Sequence, residues 1–276
     1  VNRSIFLLTL CAAALAAAPV LAGKAITMKG SDTMVILGQR WAEKYMNANS
    51  GQVIMVTGGG SGTGIAALIN GTTDICQASR SMKQDERLKL KDRYQTMGVE
   101  IPVAKDGLAV YVHTANPLKE LTVAQLADIY MGNVTNWKQL GGKDATIILY
   151  GRENSSGTYG FFKEHVLKNK DFSARVQTLP GTAAVVNAVA KDPNGIGYGG
   201  AAYAKGVRDV AMKADASSAG VLPSAATVKD GSYPLSRPLF FYMRKSPSGD
   251  TKKFVDWVLS AEGQKLAVDV GYFPLN

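Results

Sequence analysis

A chain of 276 residues that is 46% hydrophobic and 19% charged can bury one large core or two separate lobes. That balance excludes a disordered or collagen-like chain. Its formal charge of +9 is scattered rather than striped, with no Arg-rich or aromatic-interleaved stretch. A nucleic-acid surface is therefore not expected, and a diffuse positive field favours small anions or acidic docking surfaces.

The first 22 residues, "VNRSIFLLTLCAAALAAAPVLA", place Arg3 ahead of an apolar stretch and end in small residues at Val20-Leu21-Ala22. This order predicts a secretory signal peptide cleaved after Ala22, and hence an exported, soluble product. The alanine richness and Pro19 argue against a stable membrane span, and the bulky Leu10 before Cys11 argues against lipoprotein processing. Cleavage leaves a net charge of +8 and a single cysteine, Cys76, with no internal disulfide and no CxxC metal spacing. Cys76 lies in the apolar run "TDICQAS", where a buried, inert thiol is expected.

Beyond the leader, "KAITMKG" predicts a strand ending at Gly30. The next segment carries Ile36, Trp41, Tyr45 and Met46 at helical spacing, with Ser31, Asp32 or Thr33 as its cap. "QVIMVT" is a strand, "GGGSGTG" a tight turn, "IAALING" a helix, "DICQAS" a strand and "QDERLKLKDRYQ" an exposed helix. "VEIPVA" and "GLAVYVH" are two strands on either side of Lys105-Asp106. This alternation predicts a mainly parallel, layered α/β lobe.

A second series begins near 116. Residues 116–142 predict a helical segment anchored by Trp137. "ATIILYG" is a strand, "TYGFFKEHVLK" a helix, and "GTAAVVNAVAKDPNGIGYGGAAYAKG" a helix, a Gly-rich strand and a short helix. Residues 214–234 turn polar and loop-rich, "LSRPLFFYMRK" is a strand, and a helix pair ends the chain. The expected organisation is two α/β lobes. The first is discontinuous, from 23–105 and 227–276, and the second comprises 106–226.

The tripeptide Ser-Gly-Thr occurs twice, in "TGGGSGTGIAAL" and in "GRENSSGTYGFF", each time after an apolar run and ahead of a helix. "GSDT" at 30–33 follows the same logic. The first turn of a helix leaves its N–H groups unpaired and carries partial positive charge, so each corner is a potential anion site to which Ser and Thr add hydroxyl donors. One such corner is most simply a helix cap. Three of them, after strands and in two lobes, would line both walls of one cleft. Arg152, four residues before Ser156, adds a fork able to grip an oxyanion, with a salt bridge to Glu153 as the alternative.

Other chemistries fit poorly. Neither glycine corner has the lysine of a P-loop. Gly62-Thr63-Gly64-Ile65-Ala66-Ala67 matches a permissive G-x-G-x-x-A pattern, with Asp85 beyond it, but an exported chain has no soluble nicotinamide pool to draw on. His113 and His165 have no metal partners, there is no G-x-S-x-G elbow, and no base can be placed beside Ser156.

The segments "KGSDTM", "VTGGGSGTGIAALINGTTDICQASRSM", "KDGLAVYVHTANPLKELT", "NVTNWKQLGG", "GRENSSGTYGFFKEHVL" and "GIGYGGAAY" together resemble the periplasmic phosphate-binding proteins of bacterial high-affinity phosphate import, in a shorter branch of that family. The resemblance covers essentially the whole mature chain. It implies a two-lobed, type II periplasmic binding fold with a hinge and an interlobe cleft. It also implies a monomer in the periplasm that closes over inorganic phosphate and delivers it to the permease subunits of an ATP-driven importer, with no catalysis, no cofactor and no metal. The implied donors are Ser31, Thr33, Ser61, Arg152, Ser156, Gly157 and Thr158. Longer relatives place an aspartate that accepts phosphate's proton where this chain has Arg80, which has no acceptor capacity but is counted with the expected phosphate-binding residues. Asp106, at the proposed crossing between lobes, is the acceptor expected instead, with Asp32 as its competitor. The other class of reading is an exported enzyme acting on phosphate esters. Among binders, sulfate and molybdate are the rival ligands.

Overall fold

The computed structural model describes residues 25–275, and the expected signal peptide at 1–22 lies outside them. β1 (Ile26–Gly30) leads directly into α1 (Asp32–Ala48). The buried stripe of α1 is Met34, Leu37, Trp41 and Tyr45, whereas Ile36, expected on that stripe, is 38% exposed. β2 (Ile54–Thr57), α2 (Ser61–Asn70), β3 (Ile75–Ala78) and α3 (Gln84–Tyr94) continue the alternation. The two strands expected around Lys105-Asp106 are one strand, β4 (Val99–Val112). Both residues stay in the ladder because β10 (Ser236–Met243) runs antiparallel beside them, with Lys105 opposite Pro238 and Asp106 opposite Arg237.

The single helical segment expected over 116–142 is divided. A short β5 (Glu120–Thr122) precedes α4 (Val123–Met131), which the Thr122 hydroxyl caps and Gly132 ends in a left-handed turn. Trp137 opens a separate 3₁₀ turn, and its buried indole donates to the Asn194 carbonyl. The chain continues through β6 (Ile148–Arg152), α5 (Gly157–His165), β7 (Gln177–Leu179), α6 (Gly181–Lys191), β8 (Gly195–Gly200) and β9 (Arg208–Lys213). It closes with α7 (Ala225–Lys229), β10, α8 (Gly249–Leu259) and α9 (Ala261–Val270). β7 and β9 were not legible as strands, since one is a three-residue piece, Gln-Thr-Leu, and the other, Arg-Asp-Val-Ala-Met-Lys, has charges at both ends and no period-two alternation.

The strands form one continuous sheet in the order β2-β1-β3-β10-β4-β8-β6-β7, with β9 also on β4 and β5 on β9. β1 is parallel to β2 and β3, and β6 is parallel to β7 and β8. The antiparallel pairs are those made by β4 and β10, the strands that run between the two halves. Residues 99–107 of β4 pair with β10, and residues 108–112 pair with β8 and β9. One strand thus belongs to both halves of the sheet.

Each half has its own core. Met34, Leu37, Trp41, Val103, Leu239, Phe241 and Phe254 pack together under α1 and α8. Leu108, Val110, Leu126, Phe162, Tyr198 and Val210 form the other core, which also takes in Val228, Tyr233 and Leu235. The chain therefore re-enters the first core between Leu235 and Leu239, later than the expected 227. Tyr233 fixes this boundary, since its buried hydroxyl donates to the Leu108 carbonyl at 2.7 Å. On the opposite faces, α2 and α3 cover one half-sheet and α6 the other. β3 and β8 are consequently buried at every position, as strands covered on both sides must be.

Candidate functional site

Three strand-to-helix corners meet where the halves face each other. β1–α1 and β2–α2 come from the first half, and β6–α5 from the second. The Gly62 N–H donates to the Ser155 carbonyl at 2.8 Å, and the Ser155 hydroxyl donates to the Gly59 carbonyl at 3.2 Å. Gly60 has φ +93°, and a Cβ there would lie 2.5 Å from the Ser155 oxygen, so this approach requires glycine.

The hydroxyls of the corners do different jobs. Ser156 caps α5, accepting from the Thr158 and Tyr159 N–H groups. Ser31 occupies the N-cap of α1 without a side-chain bond to its own helix, and its hydroxyl donates to Ser79 at 2.8 Å. The Ser61 hydroxyl accepts the Ser79 N–H at 3.1 Å. Thr33 of the first half and Thr158 of the second hold their hydroxyls 2.8 Å apart. A Cβ on Gly157 would lie 2.2 Å from the Ser61 hydroxyl. Ser31, Thr33, Ser61, Ser156, Gly157 and Thr158 are thus brought together, all buried. The capping explanation holds for Ser156 alone. The hydroxyls of Ser31, Thr33 and Ser61 face the cluster.

Arg152 ends β6 inside this cluster, only 2% exposed. Its Nε and Nη2 donate to the two Glu153 oxygens at 3.0 and 2.9 Å. Its Nη1 donates to Thr182 at 2.9 Å, and its Nη2 reaches across to Asp32 at 2.7 Å. The salt bridge to Glu153 is therefore present, and a second ion pair to Asp32 ties the β6–α5 corner to the β1–α1 corner. Burial pushes the Glu153 carboxyl up, but the bond and charge of Arg152 outweigh it and hold the group below its ordinary range.

Asp106 is buried on the strand that joins the halves. Its Oδ2 accepts both Nε and Nη2 of Arg237, at 3.0 and 2.8 Å. Burial raises its pKa above the carboxylate norm, against the opposing charge and hydrogen bonds of Arg237. Arg80 stands apart from the cluster. Its guanidinium is held by both oxygens of Glu86, at 2.8 and 2.6 Å, with a further bond to the Ser81 carbonyl. Its fork is engaged by Glu86, and among the described residues no bond joins it to the clustered hydroxyls. His113 and His165 have local roles: His113 accepts the Ala115 N–H, and His165 stacks on Phe161. Among the described residues no group of three His, Cys, Asp or Glu side chains could hold a metal, and Cys76 is buried and free.

Sequence reasoning missed Ser79, Thr182 and Arg237. Ser79 and Thr182 carry no local signal: Ser79 follows β3 and meets the cluster through Ser31 and Ser61, and Thr182 stands in the first turn of α6 and meets it through Arg152, contacts between residues far apart in sequence. Arg237 had one, since it is a lone cation in the otherwise apolar strand "LSRPLFFYM". A charged residue in such a strand is buried only when paired.

Two half-sheets joined by shared strands, with polar corners of both meeting in one buried cluster, define a binding protein of the periplasmic type rather than an enzyme. The profile of the PBP superfamily domain matches residues 16–262. The phosphate-binding protein PstS of Pseudomonas aeruginosa is 36% identical over 263 residues, covering 89% of this chain and 81% of that protein. PstS of Staphylococcus epidermidis is 36% identical over 251 residues, covering 86% and 73%. The chain belongs to the PstS family of phosphate-binding proteins. Among solved structures, a phosphate ABC transporter substrate-binding protein from Clostridium perfringens with bound phosphate superposes with a TM-score of 0.83. It is 30% identical, covering 91% of this chain and all of that one. An ABC-type phosphate transport receptor from Vibrio cholerae gives a TM-score of 0.71 at 30% identity, covering 90% and 99%. Among the described residues no helix is long and apolar enough to cross a membrane.

Proposed function

We propose that this chain captures inorganic phosphate between its two lobes and hands it to the permease subunits of an ATP-driven importer, acting as an exported, periplasmic monomer freed of residues 1–22. The observation that carries this reading is the meeting of three polar corners, two from one lobe and one from the other, with Arg152 bonded across the lobes to Asp32 beside them. The donors we assign are Ser31, Thr33, Ser61, Arg152, Ser156, Gly157 and Thr158. Hydroxyls and backbone N–H groups at helix starts suit a dehydrated oxyanion, and their supply from both lobes makes binding and closure one event. The hinge we assign to β4, the strand shared by the lobes, and to the chain that enters β10 beside it.

Asp106 is the acceptor in this reading. At neutral pH phosphate carries a proton and sulfate does not. Arg237 engages Oδ2 and the Ala201 N–H also serves the carboxyl, and a remaining lone pair accepts that proton and repels an oxygen that lacks one.

The test is equilibrium dialysis with radiolabelled phosphate against sulfate and molybdate competitors, beside incubation with a chromogenic phosphate ester. Saturable phosphate binding, undisturbed by sulfate and without ester hydrolysis, is expected. Tighter binding of sulfate or molybdate, or turnover of the ester, would replace this reading.

A further inference from the structure

Arg237 lies at the middle of the cluster, yet it belongs to none of the three corners. It stands on β10 directly opposite Asp106, 2% exposed, at the point where the chain passes between lobes. Its Nε and one Nη2 bond go to Asp106, and Nη1 donates to the Ser79 carbonyl at 3.2 Å. The remaining direction of Nη2 points at two hydroxyls, Thr158 Oγ1 at 3.0 Å and Thr33 Oγ1 at 3.4 Å. The ring of Phe161 lies 5.2 Å from the guanidinium carbon and closes that side.

An arginine is always charged and can only donate. A hydroxyl that accepts from it must turn its own hydrogen elsewhere. We propose that Arg237, pinned by Asp106, is a positioning residue that polarises Thr33 and Thr158 so that both present their hydrogens to the bound anion. One side chain on the joining strand thereby sets the donor polarity of one hydroxyl from each lobe. With Arg237 in place the two hydroxyls already stand 2.8 Å apart, and because Arg237 takes up a lone pair on each, the hydrogen they share has fewer competing acceptors when an anion's oxygen approaches; without Arg237 that hydrogen is held more firmly between the two threonines and one donor is lost to the ligand. The ligand class this selects is an oxyanion whose oxygens accept at both positions.

The inference rests on the phosphate reading above, so wild-type phosphate binding is measured first, and its absence overturns that reading rather than this one. The test is a double-mutant cycle on phosphate affinity. Arg237→Lys keeps the charge opposite Asp106 but cannot reach both hydroxyls. It is expected to weaken binding tenfold or more in the wild type. In the Thr33→Val/Thr158→Val background, where no hydroxyl is left to orient, the same change should cost less than twofold. An equal loss in both backgrounds, or no loss in the wild type, overturns the proposal. If Arg237→Lys does not fold, the double variant Asp106→Asn/Arg237→Gln replaces it in both backgrounds, because there the two charges leave together and the same comparison applies.

Discussion

The Asp32 carboxylate joins the two lobes. Its Oδ1 accepts the Gly59 N–H of its own lobe at 2.8 Å, and its Oδ2 accepts Arg152 Nη2 of the other at 2.7 Å. The Tyr203 hydroxyl, also from the second lobe, donates to the Asp32 carbonyl at 2.6 Å. Asp32 thus acts as a latch in the closed arrangement. Asp32→Asn preserves an acceptor for Gly59 but offers Arg152 an amide in place of a charge. A hydrogen bond to a charged group contributes about 1.5–3 kcal/mol, which corresponds to roughly tenfold to somewhat over a hundredfold. Phosphate release measured by stopped flow should accelerate by about that factor, with association nearly unchanged. A wild-type release rate would show that the latch does not hold the closed state.

Arg152→Ala should weaken phosphate binding by more than a hundredfold. The loss exceeds that of the fork alone, because Glu153 and Asp32 would remain beside the anion without their cation. Arg152→Lys restores the charge but not the planar fork that serves Glu153, Thr182 and Asp32 at once, so rescue should be partial. Calorimetric titration of the two variants decides it, and wild-type affinity in Arg152→Ala would remove this residue from the site.

Asp106→Asn should narrow the preference for phosphate over sulfate by at least tenfold, since an amide can donate to an unprotonated oxygen. The variant also leaves Arg237 buried without its counter-charge, at a cost of about 3–5 kcal/mol in stability. The ratio of the two affinities is therefore the quantity to read, not either one alone. An unchanged ratio would return the acceptor role to Asp32.

Gly157 does not require glycine for its own backbone, as its φ is not positive. What it requires is clearance from the other lobe, since a Cβ would lie 2.2 Å from the Ser61 hydroxyl and 2.7 Å from that of Ser79. Gly157→Ala should fold normally and fail to close. Small-angle scattering is expected to show a smaller phosphate-induced contraction than in the wild type. Overpacking of about 1–3 kcal/mol predicts an affinity loss of roughly five- to over a hundredfold. Full contraction with unchanged affinity would contradict the tight contact.

Asp209 supplies a pH dependence away from the cluster. Its Oδ1 is buried without a hydrogen-bond partner, and burial, partly offset by Arg208, raises its pKa to about 6. The native state then holds this proton more firmly than the unfolded chain. The contribution is complete below the ordinary carboxylate range and is lost as pH rises through about 6. Asp209→Asn should raise the melting temperature at pH 8 relative to wild type, with the difference vanishing by pH 4. A difference of equal size at both pH values would exclude this origin.

The parts of this protein that depend on nearest neighbours in the chain were legible before any coordinates. Ser31, Ser61 and Ser156 could be read as helix-start corners because the signal is local, a strand followed by Gly, Ser and Thr and then helical periodicity. The two-lobed α/β organisation was legible for the same reason, as was Asp106 at the crossing. Which hydroxyl caps its helix and which faces the cluster was not, because it depends on Ser79 and on Thr158, both far off in sequence. The Asp106–Arg237 pair spans 131 residues and exists only through the register of β4 against β10. Arg80 and Arg152 were two plausible arginines by residue type, and only the placement of Glu86 beside one and Asp32 beside the other separated them. The sequence by itself determined which donors the site could contain. The tertiary structure decided which charges neutralise one another, because buried electrostatics depends on distances of a few ångströms that no local pattern encodes.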